Sequence, residues 1–157
     1  QNAAYARVYG MQWSLDAQLG SRWILTTRMN LQKGEEELDN GAISPSRHAA
    51  PYFGESSLSY EHNSWSGILI HRFQGTKLHS QMAITERGKT ELYALNAENL
   101  TYAPSWGVWN LVGKYEIADR GNILLKVENL TDQRYRPYSS GISAPGRSVQ
   151  LGFSVHF

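Results

Sequence analysis

Hydrophobic and polar positions alternate through much of this chain, and alternation with period 2 is the signature of a strand with two unlike faces. The first such stretch covers residues 4–18. Its odd positions are Tyr5, Arg7, Tyr9, Met11, Trp13, Leu15 and Ala17, and its even positions include Gly10, Gln12, Ser14, Asp16 and Gln18. After a tight turn at Leu19-Gly20-Ser21, a second strand is predicted over 22–33. It places Trp23, Leu25, Thr27, Met29 and Leu31 opposite Arg22, Thr26, Arg28, Asn30 and Gln32, interrupted by Ile24. The same rhythm predicts strands over 51–61, 65–73, 106–117, 122–130 and 148–157, and an extra short strand is expected within 78–84.

The connections alternate too. Short turns at 19–21, 62–64 and 118–121 separate long polar segments at 34–50, 74–104 and 131–147. All short turns then fall at one end of an antiparallel meander and all long loops at the other. Transmembrane barrels have that asymmetry. Arg28, Glu55, Lys114, Lys126 and Glu128 share the polar face in mid-strand. Such a face suits the wet lumen of a barrel or the outer surface of a soluble β-sandwich, and alternation does not separate the two. A sandwich would bury the faces carrying Leu15, Leu25 and Val127 against one another. A complete small barrel of eight strands, structural or enzymatic, needs the extra strand within 78–84.

Composition narrows this reading. The net charge of +1 gives no electrostatic footprint for nucleic acid. No run of about 18 apolar residues exists, which excludes a membrane-crossing helix and leaves a barrel open. Cysteine is absent, so disulfides and thiolate metal sites are excluded. No charged-then-apolar leader follows Gln1; a secretory signal is absent, was removed or lies upstream. Of the aromatics, Trp23 and Trp65 follow short turns and Trp106 and Trp109 adjoin a long loop, where interfacial girdles are found; Trp13 and Tyr115 are further candidates.

Catalytic chemistry has little support. The five histidines, His48, His62, His71, His79 and His156, lack the i, i+4 spacing of a helical zinc site, and no metal or cofactor is expected. Gly54-Glu55-Ser56-Ser57 is no nucleophile elbow, and no enzyme is expected. Glu35-Glu36-Glu37 reads as a solvated charge run at a loop base.

Two stretches carry a family resemblance. Val127-Glu128-Asn129-Leu130-Thr131-Asp132-Gln133-Arg134-Tyr135 resembles the Asn-Leu-(Thr/Phe)-Asp-x-x-Tyr motif of the penultimate strand of TonB-dependent outer-membrane receptors. Pro145-Gly146-Arg147-Ser148 resembles the Pro-Gly-Arg before their last strand. The final strand, QLGFSVHF, is similar to the C-terminal pattern read by the outer-membrane assembly machinery, at Gln150, Gly152, Val155 and Phe157.

The resemblance implies an all-β fold of antiparallel up-and-down transmembrane strands, about the last seven of a 22-stranded barrel with a plugged lumen. Residues 1–157 would be the C-terminal part of the barrel, with the plug and the TonB-contacting segment absent. It implies a Gram-negative outer-membrane location and active uptake of a scarce large solute, most commonly an iron chelate such as a siderophore. TonB, acting through the absent N-terminal part, the assembly machinery and outer-membrane lipid would be partners. Arg47, His48, His79 and Arg136, in the long loops, are the candidate ligand contacts.

Overall fold

The computed structural model describes residues 5–155, apart from the side chain of Asp119. Seven long strands form one antiparallel meander: β1 (Ala6–Gln18), β2 (Trp23–Glu37), β4 (Phe53–His62), β5 (Trp65–Gln74), β8 (Trp106–Glu116), β9 (Gly121–Glu128) and β10 (Ser148–Val155). The short β3 (Ile43–Pro45) pairs with the top of β2, and β6 (Ala94–Leu95) pairs with β7 (Thr101–Tyr102) outside the sheet. The seven long strands predicted are present within a few residues, whereas the extra short strand expected within 78–84 is not formed. β2 runs further than expected, because Glu35, Glu36 and Glu37 still pair with β1 or β3 rather than opening a loop.

Register sorts the side chains. Leu25, Leu58, Leu69, Leu111, Val127 and Val149 lie in one row across six strands. Two places along β1 is Leu15, paired with Thr27. This face carries exposed apolar groups, including Met11 at 64 %, Leu151 at 60 % and Phe153 at 70 %. No second sheet covers it among the described residues, so the expectation for a sandwich fails: Leu15, Leu25 and Val127 share one face instead of packing on each other. The closed eight-stranded barrel fails as well. The strand order is open, from β1 to β10, and the segment 78–84 forms a 3-10 turn at His79–Gln81 with Met82 and Ala83 buried after it.

The opposite face is polar and carries the charges. Arg72 donates from Nε to Glu55 at 2.6 Å, Lys114 lies 2.7 Å from Glu116, and Lys126 lies 2.9 Å from Glu128. Thr26 donates to Asp16 at 2.6 Å. These pairs are solvated, so each contributes little net stability.

At the short-turn end, Trp23 packs on Tyr60 (4.6 Å between centroids) and Trp65 on Tyr115 (4.5 Å), as cross-strand neighbours on the apolar face. The hairpin Asn63-Ser64 is two residues long and Asn63 has φ 50°, a value asparagine tolerates and the twist of a tight hairpin requires. Two expected girdle positions are corrected. Trp106 is an odd number of residues from Trp109, so it points to the polar face, and its ring packs on Tyr135 at 4.3 Å. Trp13 sits in mid-strand opposite Met29. Trp109 does lie on the apolar face, stacked on His71 at 4.4 Å.

Candidate functional site: a folded loop cap over the inner wall

The buried part of this molecule lies in its loops rather than in its sheet. Met82, Tyr93, Ala103 and Tyr138 form the hydrophobic cluster, flanked by Leu92, and they come from the second and third long loops. Backbone and side-chain bonds then tie all three loops together. Ile84 N–H donates to Ser44 Oγ at 3.1 Å, Lys77 Nζ donates to the Ala49 carbonyl at 2.6 Å, and Ala83 N–H donates to Tyr138 Oη at 3.2 Å. Segments rich in polar residues can fold this way where their backbone groups find partners within the protein, as these do.

Glu86 is the electrostatic centre of the cap. Its side chain is 1 % exposed and receives Arg47 Nε at 2.8 Å, Lys89 Nζ at 2.5 Å and the Tyr93 hydroxyl at 2.6 Å. Burial works to raise the Glu86 carboxyl, but the bonds from Lys89 and Tyr93 and the charge of Arg47 outweigh it, holding the group below its ordinary value. Burial and the bond to Glu86 push the Tyr93 hydroxyl upward, so it stays a donor. Burial lowers Lys77, which has a carbonyl rather than a carboxylate as partner.

The four loop candidates are used differently. Arg47 belongs to the Glu86 cluster. Arg136 donates through Nη1 to the Leu92 carbonyl at 3.1 Å and through Nη2 to Ser143 Oγ at 3.2 Å, joining the second and third loops. His79 Nδ1 lies 3.1 Å from both the carbonyl and the hydroxyl of Thr101. Thr101 Oγ1 already donates to the Arg87 carbonyl, so Nδ1–H is the donor to both Thr101 oxygens. His48 is exposed beside buried Ala49. The cap thus gathers Arg47, His79 and Arg136 into one structure without bringing them to one point. Among the described residues, no three His, Asp or Glu side chains gather as a metal-binding set.

The residues of the penultimate-strand motif prove to be a lock on the last loop. Asn129 is 4 % exposed with φ 50°. Its Nδ2 donates to the carbonyls of Gln133 (3.0 Å) and Pro145 (3.2 Å), its Oδ1 accepts from Gln133 N–H (3.0 Å), and its own N–H donates to Asn110 Oδ1 (2.9 Å). Asp132 Oδ1 accepts from Arg147 N–H at 2.8 Å. A Cβ at Gly146 would lie 2.9 Å from that same oxygen, so glycine is what lets the chain pass. Asn129→Ala removes three side-chain bonds from a buried site, leaves Gln133 N–H without its acceptor and is expected to cost about 2–3 kcal/mol. A fall in melting temperature of the purified protein checks it.

No protein-family model matches the chain. Solved structures do. The copper transporter OprC aligns over 97 % of this chain and 24 % of its own, with a TM-score of 0.73 and 17 % identity. The FrpB iron transporter from Neisseria meningitidis aligns over 97 % and 24 %, with a TM-score of 0.71 and 16 % identity. The siderophore receptor PiuA from Acinetobacter baumannii aligns over 94 % and 21 %, with a TM-score of 0.64 and 14 % identity. This chain has the barrel-wall fold of TonB-dependent receptors. It spans about a quarter of the length of the solved structures it matches. In a barrel wall of this kind the exposed apolar row is the outside, the paired charges are the inside, and the cap stands over one end.

Proposed function

We propose that residues 1–157 are the C-terminal barrel wall of a TonB-dependent receptor in a bacterial outer membrane, and that the whole receptor takes up a scarce large solute, an iron chelate of the siderophore class. The observation that carries this reading is the single two-faced sheet. Its apolar face is uncovered and rimmed by Trp23, Tyr60, Trp65 and Tyr115, and its long loops all fold over one end. Lipid suits the first feature, because a transmembrane strand alternates an apolar outer with a polar inner side. The open edges of β1 and β10 call for further strands of the same barrel, since unpaired backbone is not tolerated in hydrocarbon. The neighbours' printed roles in copper, iron and siderophore transport support a metal-related cargo.

In this reading the cap holds its shape before ligand arrives. Arg47, His48, His79 and Arg136 are its proposed ligand contacts, and energy relayed by TonB acts on a plug encoded upstream. The test is growth of a strain deleted for the full-length gene on single ferric siderophores under iron limitation. Loss of growth on one chelate, restored by the gene only when TonB is active, is the expected result. Undiminished growth on every chelate, with no iron control of expression, overturns the reading.

The last strand is proposed to carry the assembly signal at Gln150, Gly152, Val155 and Phe157. Gln150 and Gly152 alternate inward with the outward row Val149, Leu151, Phe153 and Val155, while Phe157 lies outside the described residues. Deleting Phe157 from the full-length protein is expected to lower its outer-membrane level several-fold by immunoblot; an unchanged level counts against the signal.

A further inference from the structure

Two neighbouring rungs of the inner wall lie beneath the cap. In one, Arg28 of β2 stands beside Glu55 of β4 and Glu55 beside Arg72 of β5; in the next, Asn30, Phe53, Gln74 and Trp106 follow one another across four strands. Between these rungs and Tyr138 of the cap lies an open cavity of about 430 Å³. Its charge is uneven. Arg28 and Arg72 flank the single carboxylate of Glu55 in the register, but Glu55 accepts only from Arg72, at 2.6 Å, and Arg28 has no ion-pair partner among the described residues.

The upper rung is short of acceptors. Gln74 is 5 % exposed, and its Nε2 is buried with no hydrogen-bond partner; Nε1 of its cross-strand neighbour Trp106 is in the same condition. Buried donors are nearly always paired, so two unpaired ones side by side mark a place where a partner is missing. The Gln74 carboxamide is also loosely held. Its Oε1 accepts from Tyr138 N–H at 3.4 Å, beyond the usual range for such a bond. Turning Nε2 toward the cavity therefore sacrifices little.

The cavity's one carboxylate, Glu55, is engaged by Arg72, so nothing negatively charged is left in the lining for Arg28, Gln74 and Trp106. We propose that it is a binding subsite for a carboxylate group of a small anionic ligand, held by the Arg28 guanidinium and by the N–H groups of Gln74 and Trp106. A guanidinium meets a carboxylate through two parallel bonds, and the neutral donors fix which oxygen faces the wall. The subsite deepens the transport reading and rests on it for the side from which ligand arrives.

The test uses the full-length protein purified in detergent, with citrate as the probe and its uncharged trimethyl ester as control, read by calorimetry. Citrate binds and the ester does not. Gln74→Glu keeps an oxygen for Tyr138 N–H and replaces the donor by a charged acceptor; it weakens citrate binding by about tenfold or more. Arg28→Gln, at an exposed wall position where folding is not at stake, weakens it by about tenfold. Trp106→Phe keeps a ring against Tyr135 and weakens it by about fivefold. Lys126→Gln, elsewhere on the same wall, leaves it unchanged.

No citrate binding, or binding indifferent to all three cavity variants, overturns the subsite. The two readings fail separately. Citrate binding with these sensitivities in a protein that supports no chelate uptake keeps the subsite and removes transport. Chelate uptake without citrate binding does the reverse.

Discussion

Arginine in place of Leu58 is expected to keep the protein out of the outer membrane, whereas arginine in place of its neighbour Ser57 is expected to leave assembly intact. The two positions share a depth and differ only in face. Leu58 sits between Leu25 and Leu69 in the apolar row, and Ser57 sits between Thr26 and Ile70 on the inner wall, two residues from Glu55. A guanidinium facing lipid near the bilayer midplane costs about 2–4 kcal/mol, while one facing the lumen keeps its water. Outer-membrane fractionation and immunoblotting of the two full-length variants check this. Equal recovery of both would mean that the Leu58 row does not face hydrocarbon.

Glu86→Gln is expected to loosen the cap without disturbing the sheet. The carboxylate is closed off from water and holds Arg47, Lys89 and Tyr93 at once. Breaking a fully buried pair costs about 3–5 kcal/mol; here about 2 kcal/mol is expected, because both cations can turn out into water. Hydrogen exchange at Ala83, whose N–H is bonded to Tyr138 Oη across two loops, reads that opening directly. It should rise roughly 30-fold, the equivalent of that energy, if the loops separate locally.

The pH dependence has a definite sign. Glu86 is held below its ordinary value, so its contribution is complete above the unfolded value of about 4.3 and is lost as pH falls through the folded one. Acid-accelerated opening at Ala83 should therefore set in as pH falls below the ordinary carboxylate range and grow as Glu86 takes up its proton. Glu86→Gln should lack that step.

The sheet was legible because its evidence is periodic. Each strand states its two faces through its own alternation, and even the inward placement of Trp106 follows from parity with Trp109. The cap had no such evidence. Met82, Tyr93, Ala103 and Tyr138 are spread over 57 positions with no common period, and Glu86 looks like any loop carboxylate until Arg47, 39 residues earlier, folds against it. Glu35 to Glu37 read as loop because charge masks strand alternation when every residue is acidic. The motif around Asn129 could be recognised as a pattern, but its task could not. Four hydrogen bonds from one asparagine depend on where Asn110, Gln133 and Pro145 finish in space.

The way the cap is tied also sets an order of events in folding. Its bonds join Lys77 to Ala49, Ile84 to Ser44, Ala83 to Tyr138 and Tyr138 to Gln74, spans of 28, 40, 55 and 64 residues. Closing such spans from an open chain is slow, whereas once β2, β4, β5, β8, β9 and β10 have zipped into register the loop ends already stand side by side. The cap is thus a late-forming clasp across three hairpins. It fastens only when every strand beneath it has found its proper neighbour, so a wall assembled one rung out of step would be left with its loops unfastened.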